Sequence, residues 1–129
     1  MKSIINNNNI SISNININPM GIIPDIAIVR NVKPVYKVDD QGKRTGTIDA
    51  IRYECINTLD FSTFTIKTVS TKPVVSEEDI ENSETPIRIL IPVSEVVIRP
   101  YKIEYGIATV SIMVPSVKLA PNEKVPDKL

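Results

Sequence analysis

Histidine and tryptophan are missing from this 129-residue sequence, and cysteine occurs once, at Cys55. Without histidine, the commonest general base and the commonest metal ligand are gone. A single cysteine forms no intramolecular disulfide, and alone it does not make a zinc site. A reactive thiolate needs an activating cation beside it, so Cys55 reads as a small apolar residue inside a strand. Glycine is scarce, with four residues, and neither a glycine-rich phosphate loop nor a nucleophile elbow is present. No apolar run approaches the ~20 residues of a membrane-crossing helix, and Asn6–Asn9 interrupts the run that a secretion signal needs. These absences lead us to expect a cytoplasmic protein that is not an enzyme, with no metal, no cofactor and no small-molecule substrate.

Neither sign of charge dominates, with 15 basic and 15 acidic residues, which argues against a strongly basic nucleic-acid binder. The distribution softens that objection. Five acidic residues (Glu77, Glu78, Asp79, Glu81 and Glu84) sit within residues 76–84 with no basic residue among them, so the rest of the chain carries a basic surplus of five. The acidic cluster lacks the alternating spacing and central glycine of a calcium loop. It reads as a solvated helix and loop, and Asp39-Asp40 reads as a turn.

What is abundant is isoleucine and valine, whose branched side chains suit a pleated surface. Ten prolines imply short elements cut by turns. The length fits one domain able to bury a core of its own. Residues 1–19 stand apart as an Asn/Ile-rich arm. Strict alternation from Ile10 to Asn18 is the mark of a half-buried strand, while low complexity marks a disordered tail. Both readings stay open, and they meet in a loose arm that adds to a neighbour's sheet edge. Residues 20–119 form the domain, and 120–129 a loose tail.

Within the domain, a first strand is expected over Ile26–Val38, with Pro34 at a bulge or edge because it donates no ladder hydrogen bond. A turn at Asp39–Lys43 leads to a second strand over residues 46–57, with Ile51, Tyr53 and Cys55 on one face and Ala50, Arg52 and Glu54 on the other. A third strand runs over Phe61–Val69, and short turns make the three an antiparallel meander. Ser76 caps a short helix with acidic residues in its first turn. A fourth strand lies within Pro86–Arg99, broken at Pro92. A fifth covers Ile103–Val114, with Val110, Ile112 and Val114 facing the core. Three strands, a helix and two strands is the order of the five-stranded oligonucleotide/oligosaccharide-binding (OB) barrel, which binds on the face of strands two and three and in adjacent loops. The expected fold is therefore all-β, an OB-like barrel with one short helix between strands 3 and 4 and a flexible N-terminal arm.

The candidate site is aromatic and basic. Single strands stack bases on rings while cations track the phosphates. The first hairpin offers Tyr36, Lys37, Lys43 and Arg44, strand two Arg52, strand three Lys67, and the late segment Arg99, Tyr101, Lys102 and Tyr105. Strand spacing puts Arg99, Tyr101 and Tyr105 on one face. With six aromatic residues in all, Tyr53, Phe61 and Phe64 serve equally well as core.

Three phrases also carry a resemblance: Lys33-Pro34-Val35-Tyr36, Gly42-Lys43-Arg44-Thr45-Gly46 and Ile51-Arg52-Tyr53-Glu54-Cys55. With Phe64-Thr65-Ile66-Lys67, the acidic linker and Arg99-Pro100-Tyr101, the chain over about residues 26–115 resembles small proteins of conjugative plasmids and phages of low-GC Gram-positive bacteria. Some of these resemble single-stranded-DNA-binding barrels. The resemblance implies a DNA-handling accessory protein of conjugation or of phage or plasmid replication, assembling along single-stranded DNA through terminal arms. Here residues 1–19 would mediate that self-association. The alternative is a structural or protein-interaction module of a phage or plasmid assembly that binds no nucleic acid.

Overall fold

The computed structural model describes residues 5–6, 8–10 and 12–121. The arm begins with a two-stranded antiparallel pair, β1 (Ile5–Asn6) and β2 (Asn9–Ile10), followed by a 3-10 turn at Ile12–Asn14. The domain then runs β3 (Ile26–Val38), β4 (Arg44–Asn57), β5 (Thr63–Thr68), α1 (Glu77–Asn82), β6 (Ile87–Leu90), a 3-10 turn at Val93–Glu95, β7 (Val97–Glu104), β8 (Ile107–Val114) and β9 (Lys118–Leu119). The chain is mostly strand, as an all-β protein requires. Seven strands form one sheet in the order β7-β8-β5-β4-β3-β6-β9.

The meander β3-β4-β5 is where the sequence expected it. Its second strand puts Ile51, Tyr53 and Cys55 into the core opposite Thr68, Ile66 and Phe64 of β5. The Asp39 carboxylate closes the first turn by accepting from the N–H groups of Gln41 and Lys43 at 2.9 and 2.8 Å, while Gly42 takes φ +79°. β3 has one extra residue at Arg30, a bulge that brings both Val29 and Val32 to the buried face. Bulges bend a strand. The N-terminal part of β3 pairs with β6 and the rest runs on with β4 alone, so Pro34 sits where no partner needs its missing N–H. Ser76 caps α1 in a capping box with Asp79, each side chain accepting from the other residue's backbone N–H.

β6 and β7 are consecutive in the chain yet five strand positions apart in the sheet. Five spacings of a flat sheet come to about 24 Å. The link Ile91–Val96 contains a 3-10 turn and reaches only about 20 Å. The sheet must therefore curl, and Ile91, Val93 and Val96 of the link are buried inside the curl with Ile66, Ile89 and Ile98. Across from them β5 and β8 pair in parallel, through Lys67–Met113 and Thr68–Val114.

Three expectations are corrected. The third strand starts at Thr63, not Phe61. Phe61 occupies the turn at φ +61° and is 77% exposed, because the chain reverses by Phe61 N–H donating to the Asn57 carbonyl at 2.8 Å. In that turn the Ser62 hydroxyl and N–H both donate to Asp60, holding its carboxyl below the ordinary value. The late strands reverse at Tyr105-Gly106 and not at Pro100–Lys102. Both turn residues have positive φ (52° and 76°), as a two-residue type I′ hairpin demands. Pro100 instead lies within β7 opposite Val110. The expected fifth strand, Ile103–Val114, is thus the end of one strand and the whole of the next.

The inner part of the arm rests on its own chain: Ile17 N–H donates to the Ile98 carbonyl at 3.0 Å. The expectation of a loose arm falls partly on residues 1–4, 7 and 11, outside the described residues. The tail's first residue, Ala120, is buried, and its N–H donates to the Arg88 carbonyl. Residues 122–129 lie outside the described residues.

Candidate nucleic-acid interface

Alternation along β4 and β5 turns Arg52 and Lys67 away from the core that Ile51, Tyr53 and Ile66 fill. The register makes Arg52 and Lys67 direct cross-strand partners and places Lys33 of β3 directly opposite Arg52 on its other side. Three cations thus stand abreast on one face of three adjacent strands, all exposed. Among the described residues none of the three is in an ion pair. Like charges directly opposite one another destabilise a sheet, and Glu54, two residues along β4 on the same face as Arg52, is the nearest acidic residue in that strand.

Beyond Lys67 the row continues to Met113 of β8 and Val97 of β7. There a cleft of about 210 Å³ brings Arg52, Lys67 and Tyr101 together, floored by Thr65, Ser111 and Met113. The Tyr101 side chain is 64% exposed. Alternation along β7, with Ile98 and Pro100 buried, puts Tyr101 on the same exposed face as Val97 and Arg99, and the register shifts only between Pro100 and Lys102. Arg99 and Tyr101 keep the expected common face, their clefts sharing Ser111 and Met113, while Tyr105 leaves it in the turn beyond the register shift. Arg99 lines a neighbouring apolar cleft of about 310 Å³ with Glu95, Val69, Val97 and Met113. Tyr105 stands in the turn, 99% exposed, beside Lys102 and Glu104, which form an ion pair at 3.5 Å.

The first-hairpin group lies apart, at the end of the long β3–β4 ribbon. Arg44 stacks its guanidinium 3.9 Å from the centre of the Tyr36 ring. That cation–π contact occupies one ring face and fixes both side chains. Lys37 and Lys43 are exposed beside them. The ten sequence candidates therefore fall into a hairpin tip (Tyr36, Lys37, Lys43, Arg44), the cleft (Arg52, Lys67, Tyr101) and the β7–β8 ribbon (Arg99, Lys102, Tyr105). Lys33 was missed. Its face cannot be read by simple alternation, because the bulge at Arg30 shifts the phase by one residue.

Cys55 and Tyr53 belong to the core. Burial pushes the Cys55 thiol up to about 12, so it stays protonated. Burial also raises Tyr53, whose hydroxyl accepts from the Val74 N–H at 3.1 Å. Among the described residues no cluster of three metal-ligating side chains occurs, and no helix is long and apolar enough to cross a membrane. No family model, curated protein or solved structure matches this chain.

Proposed function

We propose that this protein is a non-enzymatic binder of single-stranded nucleic acid, single-stranded DNA first, built on an OB-type barrel. The observation that carries the reading is the row Lys33–Arg52–Lys67 with Tyr101 in the cleft at its end. Cations spaced across strands suit successive phosphates, and an exposed ring beside them suits a base. The strand order supports the barrel. If β6 and β7 are one fourth strand interrupted at Ile91–Val96, the pairing around the sheet reads first to second, second to third, third in parallel to fifth, fifth to fourth and fourth to first. On that reading the cation row lies on the strand-two and strand-three face. The two other groups of candidates lie on the β3–β4 and β7–β8 hairpins, whose loops flank such a face. The accessory role in conjugation or in phage or plasmid replication follows from the resemblance alone, while self-association through residues 1–19 rests on the resemblance and on the alternation of Ile10–Asn18.

Fluorescence anisotropy with a labelled oligothymidine, at low and moderate salt, tests the reading. Binding should weaken with salt. Each of Lys33→Ala, Arg52→Ala and Lys67→Ala should lower the slope of log affinity against log salt by about 0.7. Tyr101→Ala should weaken binding by about 1–3 kcal/mol. A folded wild-type protein that binds nothing at low salt ends this reading. It leaves the protein-interaction module, which the run of exposed residues from Tyr101 to Thr109 favours.

A further inference from the structure

The β7–β8 hairpin is exposed along its whole outer half. Every residue from Tyr101 to Thr109 is exposed, including Tyr101, Ile103, Tyr105 and Ile107. β7 is also an edge strand. Its outer side meets the arm at Ile98, and among the described residues no strand pairs with it from Arg99 to Glu104. A long exposed edge with apolar side chains is a template for another strand, and proteins normally blunt such edges. Here the edge bears a sequence that says what would cover it. Tyr101-Lys102-Ile103-Glu104-Tyr105 is self-complementary when read against itself in the antiparallel direction.

We propose that two copies of this chain dimerise by pairing their β7 edges antiparallel about a twofold axis at Ile103. In that register Ile103 faces the second copy's Ile103. Lys102 faces the second copy's Glu104, and Glu104 the second copy's Lys102. Side chains alternate along a strand, so both ion pairs lie on one face of the new four-stranded ribbon and the isoleucine pair on the other. The tyrosines flank the ladder at its two ends. The interface is isologous, as a twofold dimer requires. Within one copy Lys102 and Glu104 already lie 3.5 Å apart on the same face, so they are set to exchange partners. The arm ends the available edge on one side and the Tyr105-Gly106 turn ends it on the other, which leaves room for this short ladder and confines it to the hairpin.

Sedimentation equilibrium on the full chain, paired with a charge exchange, tests the register. Wild type is expected to dimerise reversibly. Lys102→Glu and Glu104→Lys each place like charges opposite one another, and each should raise the dimer dissociation constant by about tenfold or more. The double exchange, Lys102→Glu with Glu104→Lys, restores both pairs and should return the constant to near wild type. Cross-linking gives a second readout that does not depend on those charges. Paired antiparallel residues bring their Cα atoms to about 4.5–5.5 Å, within disulfide reach. Ile103→Cys should therefore oxidise to a covalent dimer, whereas Leu59→Cys, exposed in the β4–β5 turn, should not. A wild type that stays monomeric at every concentration overturns the proposal. So does association indifferent to the single exchanges, a double exchange that recovers nothing, or equal cross-linking at Leu59→Cys.

Discussion

Phe61 is the residue whose conformation argues most directly with its chemistry. A phenylalanine at φ +61° carries the left-handed penalty of any residue with a Cβ, roughly 1–2 kcal/mol. With its ring 77% exposed, it recovers little by burial. Phe61→Asn keeps the turn and suits positive φ, so the variant should unfold about 1 kcal/mol later in a urea titration. A variant less stable than wild type would mean that the ring packs on something the fold needs. Cys55 and Tyr53 set a second expectation. The unfolded thiol ionises near 9.0, while the folded one holds its proton to about 12. Below pH 9 both states are protonated and the thiol is silent. Between those values the unfolded chain releases a proton that the folded chain keeps. Stability then falls as pH rises, by up to about 1.4 kcal/mol per pH unit. Tyr53, raised in the same direction, adds to the loss above its ordinary 10.0. Urea unfolding of wild type and Cys55→Ala at mildly and strongly alkaline pH separates the thiol's part. An equal pH slope in both would show that Cys55 is solvated. A thiol reagent should likewise leave native Cys55 unmodified.

At the scale of elements, the β7–β8 turn depends on one glycine. Gly106 sits at φ +76° with nothing within 4 Å of where a Cβ would go, so Gly106→Ala meets backbone strain and no clash. The expected cost is about 1–2 kcal/mol in urea unfolding. The loss of turn geometry should also weaken dimerisation in the same sedimentation assay. No change in either would mean that the hairpin does not need its two-residue turn. This element also shows why sequence reading divides where it does. The second strand was legible because Ile51 to Cys55 alternate without interruption, and α1 was legible because Ser76 is a good N-cap with acidic residues in the turn that follows. The late hairpin was not. Pro100 looks like a stronger breaker than Tyr105-Gly106 until β7 is seen to be an edge that tolerates proline. Of the candidate site, Arg52 and Lys67 could be placed on an outward face from alternation, but their adjacency needed the register. Tyr101 could be placed on the face of Arg99 by alternation, but its nearness to Arg52 and Lys67 needed the parallel pairing of β5 with β8, and Lys33 was hidden by the bulge at Arg30.

For the whole molecule, β4 is paired on both sides along much of its length, while the β7–β8 ribbon joins the rest of the sheet through two residue pairs between β5 and β8. Local opening follows the sparsest pairing. Amide exchange, read below the concentration of dimerisation, should be slowest in β4 around Tyr53 and Cys55. It should be faster in β8 and fastest toward the outer end of the β7–β8 ribbon. Protection at Ala108–Val110 equal to that at Tyr53 would show that the ribbon is held by contacts beyond its own ladder. The parallel seam is the feature least visible from sequence, because pairing partners so far apart along the chain leave no local signal.

That seam also sets an order of events on the ribosome. β5 is complete once Thr68 has emerged, but the strand that covers its outer side ends at Val114. At roughly 5–20 residues per second the growing chain would carry a finished, uncovered strand for some seconds. That strand, Thr63-Phe64-Thr65-Ile66-Lys67-Thr68, is rich in residues that invite intermolecular pairing. Its one charge, at Lys67, is the kind of residue that discourages such pairing. Lys67 would thus guard the nascent chain before its place in the cation row exists, and replacing it with an apolar residue should lower the soluble yield of newly made protein.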